Sequence, residues 1–169
     1  RLSIKRLHTL QLKKEAQAKA ARREIATLLE RGKAETARVK VESIINEDIY
    51  LELLELLELY CELVNVRFGL LDNVRNAKEP DPAVAEGVCS IIYAAARTEV
   101  SELKELHILR ELLMHKYGRE FAIAVMENRD GCVPDRIVRK VDIKTPAPSL
   151  VDAYLSEIAK AYNVEWPSP

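Results

Sequence analysis

Residues 21–48, ARREIATLLERGKAETARVKVESIINED, decide the fold. The run is dominated by Ala, Leu, Glu, Arg and Lys, which favour helix, and it holds one breaker, Gly32. Upstream of that glycine, Ile4, Leu7, Ile25 and Leu28 keep a three-to-four-residue spacing, which predicts one helix over 2–31. Gly32 stands where a left-handed residue ends a helix at C′. A second helix is expected to start near Ala34 and to run to about Asn76. Gly69 would lie inside it at a cost of ~1 kcal/mol. So short a turn forces the two helices antiparallel. The first expectation is therefore an all-α chain built on a long antiparallel helical hairpin over 2–76.

The second helix carries two adjacent apolar stripes. One is Ile49, Leu53, Leu56, Tyr60, Leu63, Leu70 and Val74, interrupted at Arg67. The other is Tyr50, Leu54, Leu57, Cys61, Val64, Phe68 and Leu71. One stripe suffices for a two-helix coil. Two make a wider face, which must also cover later helices. Opposite them, Asp48, Glu52, Glu55, Glu58 and Glu62 form an acidic strip, open to reading as a solvated face or as a binding surface.

The later helices are shorter. AKEPDP (77–82) reads as a linker, with Asp81 as N-cap and Pro82 at N1 of a helix over about 82–97. A further helix is expected over 99–117, with Gly118 as its break and Phe121 to Met126 as an extra turn or two. Pro134 to Lys140 suits a short helix, and 141–148 an extended segment. Ser149 and Asp152 resemble a capping box opening a last helix, 150–162, which Asn163 can stop. These expectations place smaller helices over 82–162, within one domain spanning 1–164. Residues 165–169 would begin a flexible tail. The chain opens on Arg1 rather than Met, as a trimmed segment of a longer protein would.

Composition removes several classes of function. The 169 residues include 5 Gly and 7 Pro. That is about 7%, against about 12% in average usage, and does not suit a sandwich or barrel with its many turns. No two glycines are close enough for a P-loop, a dinucleotide fingerprint or a nucleophile elbow. Cys61, Cys89 and Cys132 are dispersed and odd in number, which suits buried thiols in a reducing compartment. No apolar run is long enough to span a bilayer. His8, His107 and His115 are preceded three residues earlier by Lys5, Lys104 and Leu112, so the Glu-x-x-His motif of di-metal bundles is absent. No catalytic spacing of carboxylates is recognisable, and the chain reads as a non-enzyme without a cofactor.

Charge is unevenly placed. The net charge is −1, yet residues 1–40 hold 12 basic side chains against 4 acidic, while 41–80 hold 3 against 9. The basic first helix could lie on anionic lipid or a polymer surface, or could pair with the acidic strip of a neighbour. Nucleic acid is the alternative, as for a basic coiled-coil nucleic-acid-binding protein. It usually calls for aromatic stacking platforms, and this helix has none.

Five segments in order resemble a known family: residues 21–48 above, LELLELYCELVNVRFGLL (54–71), SIIYAAARTEVSELKEL (90–106), KYGREF (116–121) and YLSEIAKAYNV (154–164). They are similar to the N-terminal core of the increased-sodium-tolerance proteins, divergent members of the ESCRT-III class of membrane-remodelling subunits. The resemblance runs from Arg1 to about Trp166. It implies an ESCRT-III-like helical bundle acting in endosomal multivesicular-body sorting, protein transport and cytokinesis. It implies binding to a helical C-terminal motif of an ESCRT-III subunit of the charged-multivesicular-body-protein-one type. It also implies regulation of the AAA ATPase of ESCRT-III disassembly, mainly through a C-terminal tail beyond Pro169.

A cytoplasmic protein recruited peripherally to endosomes follows from the resemblance, with homo- or co-polymer and anionic membrane contacts and no nucleic acid. The residues it points to for membrane or polymer contact are Lys5, Arg6, Lys13, Lys14, Lys19, Arg22 and Arg23. For the partner-helix groove they are Tyr60, Tyr117, Tyr154, Leu155 and Ile158. Each of these apolar groove residues also reads as plain core.

Overall fold

A computed structural model of the chain describes residues 1–71 and 79–166. In order the elements are α1 (Leu2–Glu30), α2 (Ala34–Val66), a 3-10 turn (Phe68–Leu70), α3 (Pro82–Ala95), α4 (Lys104–Tyr117), α5 (Arg119–Met126), a second 3-10 turn (Arg129–Gly131), α6 (Asp135–Val141) and α7 (Pro148–Ala161). Among the described residues there is no strand.

The chain's contacts divide it into two compact units. One holds Arg1–Gln11 and Glu52–Asp142; the other holds Leu12–Leu51 and the chain from Ile143 onward. Both α1 and α2 run unbroken through the division.

In the second unit, α1 ends as the glycine signal predicts. Gly32 sits at φ +75°, and the Lys33 amide donates to Leu28 O at 2.9 Å while Gly32 N donates to Leu29 O at 3.1 Å. These are the paired bonds of a Schellman cap. Within this unit α1 and α2 lie antiparallel, since Lys14 meets Glu47 and Glu24 meets Lys40. The core is made by Ile25, Ala26 and Leu29 of α1, Val41, Ile44 and Ile45 of α2, and Val151, Leu155, Ile158 and Ala159 of α7. Tyr162, Val164 and Trp166 pack against it from beyond α7. The tail expected over 165–169 is thus tied down at Trp166, and residues 167–169 lie outside those described.

Helix α7 departs from the sequence reading at its start. Pro148 occupies N1 and Ala147 is the N-cap, with no side-chain capping bond. The Ser149–Asp152 box does not form, because the fixed φ of Pro148 starts the helix two residues earlier and Asp152 pairs with Arg38 of α2. Asn163 does stop it, at φ +54°, with Val164 N donating to Ala159 O at 2.8 Å.

The first unit is organised on the buried side of α2, where Leu53, Leu54, Leu57, Tyr60, Cys61 and Val64 are all buried. Helix α3 begins as expected, with Ala83 N donating to Asp81 Oδ1 at 2.9 Å and Pro82 in the first turn. It packs closely on α2 through Gly87, where a Cβ would stand 3.0 Å from Val64 Cγ2 and 3.4 Å from Tyr60 O. Helices α4, α5 and α6 pack around α3 and bury Leu106, Leu113, Val125 and Ile137.

Three boundaries are corrected. Helix α2 stops at Val66 instead of continuing to about 76. Arg67 leaves helical geometry (φ −100°, ψ 25°) and its guanidinium caps toward Ala83 O. Phe68 to Leu70 form a 3-10 turn, and Phe68 is 59% exposed instead of buried in its stripe. The remainder of the expected helix, with Val74, lies outside the described residues. Helix α3 ends at Ala95, because Thr98 Oγ1 donates to Ala95 O at 2.7 Å and His107 Nε2 stands 3.0 Å from Thr98 O, which turns the chain. Helix α4 accordingly begins at Lys104 instead of 99.

Candidate functional site

The predicted cationic residues of α1 fall into two groups. In the second unit, Arg22 donates to Asp48 through Nη2 at 2.6 Å and Nη1 at 3.4 Å. Tyr154 of α7 donates its hydroxyl to the same carboxylate at 2.9 Å. The Arg22 guanidinium also stands 5.8 Å from the Tyr154 ring centroid. Asp48 is thus shared between α1 and α7, and its hydrogen bonds hold the Arg22 pKa above the ordinary guanidinium value, against an opposing effect of partial burial. Lys14 lies 3.6 Å from Glu47 and 5.7 Å from the Tyr50 ring. In the first unit, Arg6 grips Glu105 with two bonds of 3.0 and 2.9 Å. That contact raises the Arg6 pKa and lowers that of Glu105.

Arg6, Lys14 and Arg22 therefore neutralise carboxylates of their own units. Lys5, Lys13, Lys19 and Arg23 are exposed and form no ion pair among the described residues. Within the second unit, Lys13, Lys19 and Arg23 fall within about 120° of one another around the helix axis. That face presents positive charge to solvent, where each such side chain near an anionic surface contributes about 1 kcal/mol.

The acidic strip of α2 is partly used as well. Asp48 belongs to the cluster just described, Glu52 lies 3.5 Å from Lys140 and Glu58 lies 3.4 Å from His8. Glu55 and Glu62 remain exposed.

The five groove residues are divided between the units. Tyr60 and Tyr117 belong to the first, and Tyr154, Leu155 and Ile158 to the second. Tyr60 is buried, and its hydroxyl accepts from Arg136 Nη2 at 2.7 Å and Nε at 3.2 Å. Tyr117 is buried against Phe121, with ring centroids 5.2 Å apart. On α7, Leu155 and Ile158 face inward and are fully or nearly fully buried, while Tyr154 sits at their edge, half-buried.

Two features were not read from the sequence. The Arg22–Asp48–Tyr154 cluster joins residues 26 and 106 positions apart, a distance no local pattern encodes. The other is an open groove of about 660 Å³ between α4 and α5, lined by Met114, Ala122, Ile123 and Met126 with His115 and Arg119 at its rim. Both methionines of the chain lie there, and Met suits adaptable apolar surfaces.

A family model described as "Ist1: Regulator of Vps4 activity in the MVB pathway" matches residues 1–165. The chain belongs to the Ist1 family. Among curated Ist1 relatives, it is 38% identical over 171 residues to vacuolar protein sorting-associated protein IST1 of Saccharomyces cerevisiae, covering 98% of this chain and 56% of that protein. It is 31% identical to an IST1-like protein of Dictyostelium discoideum, covering 98% and 43%. It is 30% identical to the ist1 protein of Schizosaccharomyces pombe, covering 96% and 58%. The chain thus spans about half the length of these relatives. Among solved structures it resembles the S. cerevisiae Ist1 N-terminal domain in complex with the Did2 MIM motif. The TM-score is 0.87 at 37% identity, over 97% of this chain and 88% of that one. The ESCRT-III-like helical fold and the family expected from the five segments are both found.

Proposed function

We propose that this chain is the core of an ESCRT-III-associated adaptor that binds a short helical C-terminal motif of a charged-multivesicular-body-protein-one-type subunit. Through it, the whole protein modulates the ESCRT-III-disassembling AAA ATPase in multivesicular-body sorting. The observation that carries the reading is the 0.87 TM-score to an Ist1 N-terminal domain solved with a Did2 MIM motif. It acts by binding and does no chemistry of its own. It works in the cytoplasm, recruited to the endosome surface, and no helix among its described residues is long and apolar enough to cross a membrane. Residues 1–164 act as one domain in this reading, supported by the continuity of α1 and α2.

The partner helix docks on the α7 side of the second unit. Tyr154 offers a half-buried aromatic edge whose hydroxyl is already oriented by Asp48, and Leu155 and Ile158 hold the helix that presents it. Tyr60 and Tyr117 serve the first unit's core. Lys5, Lys13, Lys19 and Arg23 supply the contact with anionic membrane or polymer. Calorimetric titration with a MIM-type helical peptide tests the docking. Micromolar affinity, about −8 kcal/mol, is expected, with a tenfold or greater loss for Tyr154→Ala. Absence of binding by the parent chain overturns the proposal.

A further inference from the structure

Residues 143–147, IKTPA, run without helix or strand between α6 and α7. Thr145 is exposed there, and its hydroxyl makes no hydrogen bond among the described residues. It is followed by Pro146, whose ring confines Thr145 to extended backbone. Among the described residues no other Ser or Thr precedes a proline. An exposed, extended Thr-Pro step is the form in which proline-directed protein kinases take their substrates.

The surroundings of Thr145 are suited to a phosphate. It lines an open groove of about 570 Å³ together with Arg38, Pro146 and Pro148. Arg38 reaches across from α2 to pair with Asp152 of α7. Helix α7 starts three residues after Thr145 with an uncapped Ala147 and no acidic residue in its first turn. No carboxylate of the helix's own first turn therefore faces its positive end. Glu35 and Glu42 also line the groove, one turn of α2 to either side of Arg38. Glu35 is open to solvent and Glu42 is half-buried, and each is a single carboxylate, as is the Asp152 that already holds Arg38, whereas a phosphate carries nearly two charges and three acceptor oxygens matched to a guanidinium fork.

We propose that Thr145 is a phosphorylation site for an ATP-dependent, proline-directed kinase, and that its phosphate engages Arg38 and the α7 N-terminus to clasp α7 onto α2. In the transfer, Thr145 Oγ1 forms the new bond to the γ-phosphorus of ATP. The bond from that phosphorus to the bridging oxygen breaks, ADP leaves, and the hydroxyl proton passes to the kinase's base. The clasp does not depend on the partner docking proposed above.

The test incubates the chain with a proline-directed kinase and Mg-ATP, maps the phosphate by tandem mass spectrometry and compares thermal melts. Phosphate on Thr145 and a melting temperature raised by about 2–4 °C are expected, the scale of one added charged contact in a chain of this size. Thr145→Val should lose the mapped site. Arg38→Gln should keep the phosphate and lose the rise. Phosphate found on Ser168 alone overturns the site. An unchanged or lowered melting temperature in the Thr145-phosphorylated chain overturns the clasp.

Discussion

Removing Asp48 should reveal how α7 is held against the hairpin. Its carboxylate accepts from Arg22 at 2.6 Å and from Tyr154 at 2.9 Å. Hydrogen bonds to charged groups contribute about 1.5–3 kcal/mol each when fully shielded from water. Here the side chains retain 21% exposure at Asp48 and 31% at Arg22, so water partly replaces the lost partner. Discounting for that access leaves about 1–2 kcal/mol for Asp48→Ala. A double-mutant cycle with Arg22→Met isolates the pair. Urea unfolding of the four proteins should give a coupling of about 1 kcal/mol, with most of it persisting in 1 M salt because the pair is largely shielded. Tyr154→Phe should cost less than Asp48→Ala, since it deletes one bond and keeps the ring. Additivity within about 0.3 kcal/mol, or full loss of the coupling in salt, refutes the view that this carboxylate ties α1 to α2, and a Tyr154→Phe change without cost refutes its hold on α7.

Three further outcomes follow from other parts of the molecule. Gly87→Val should destabilise by about 1–3 kcal/mol in urea melts, because even a Cβ meets Val64 Cγ2 at 3.0 Å; an unchanged midpoint refutes the close α2–α3 approach. The Arg6 contact lowers the Glu105 pKa in the folded chain, so its stabilisation is present above the unfolded carboxylate's pKa and fades as pH falls through the folded one. Arg6→Gln should move the Glu105 carboxyl titration in NMR up toward the ordinary carboxylate range, and an unmoved midpoint contradicts the pairing. Burial pushes the Cys61 and Cys89 thiols up to about 12. Alkylation of the native chain at pH 8 should therefore mark the half-buried Cys132 first, with Cys61 and Cys89 reacting after unfolding; early labelling of Cys61 would contradict its burial.

Local chemistry made much of this fold readable in advance. Gly32 ends α1 because its left-handed conformation is available to glycine at no steric cost, and that preference is written in one residue. Asp81 and Pro82 start α3 for equally local reasons, an oxygen that caps and a φ already helical. Asn163 stops α7 in the same way. Where two local signals competed, the reading failed. At α7 the Pro148 start prevailed over the Ser149–Asp152 box, since Asp152 is drawn to Arg38, 114 positions away in the chain.

The candidate site was less legible than the fold. Seven cationic positions could be named from the sequence, but not which of them meet carboxylates: Arg6, Lys14 and Arg22 do, whereas among the described residues Lys5, Lys13, Lys19 and Arg23 do not. Ion pairing depends on which side chains the packed helices bring within about 4 Å, and the linear order of charges does not contain that. The same holds for the groove residues, where one family resemblance grouped five positions and the structure divided them between two units.

By itself, then, the sequence determined the helical content, the turn at Gly32, the paired apolar stripes and the family, because caps, periodicity and segment order are local or additive along the chain. The tertiary structure alone decided where α2 stops, how α7 is anchored and which cations of α1 meet carboxylates. Those outcomes turn on contacts between residues tens of positions apart: Arg67 reaching Ala83 O, Tyr154 reaching Asp48, and Arg6 reaching Glu105.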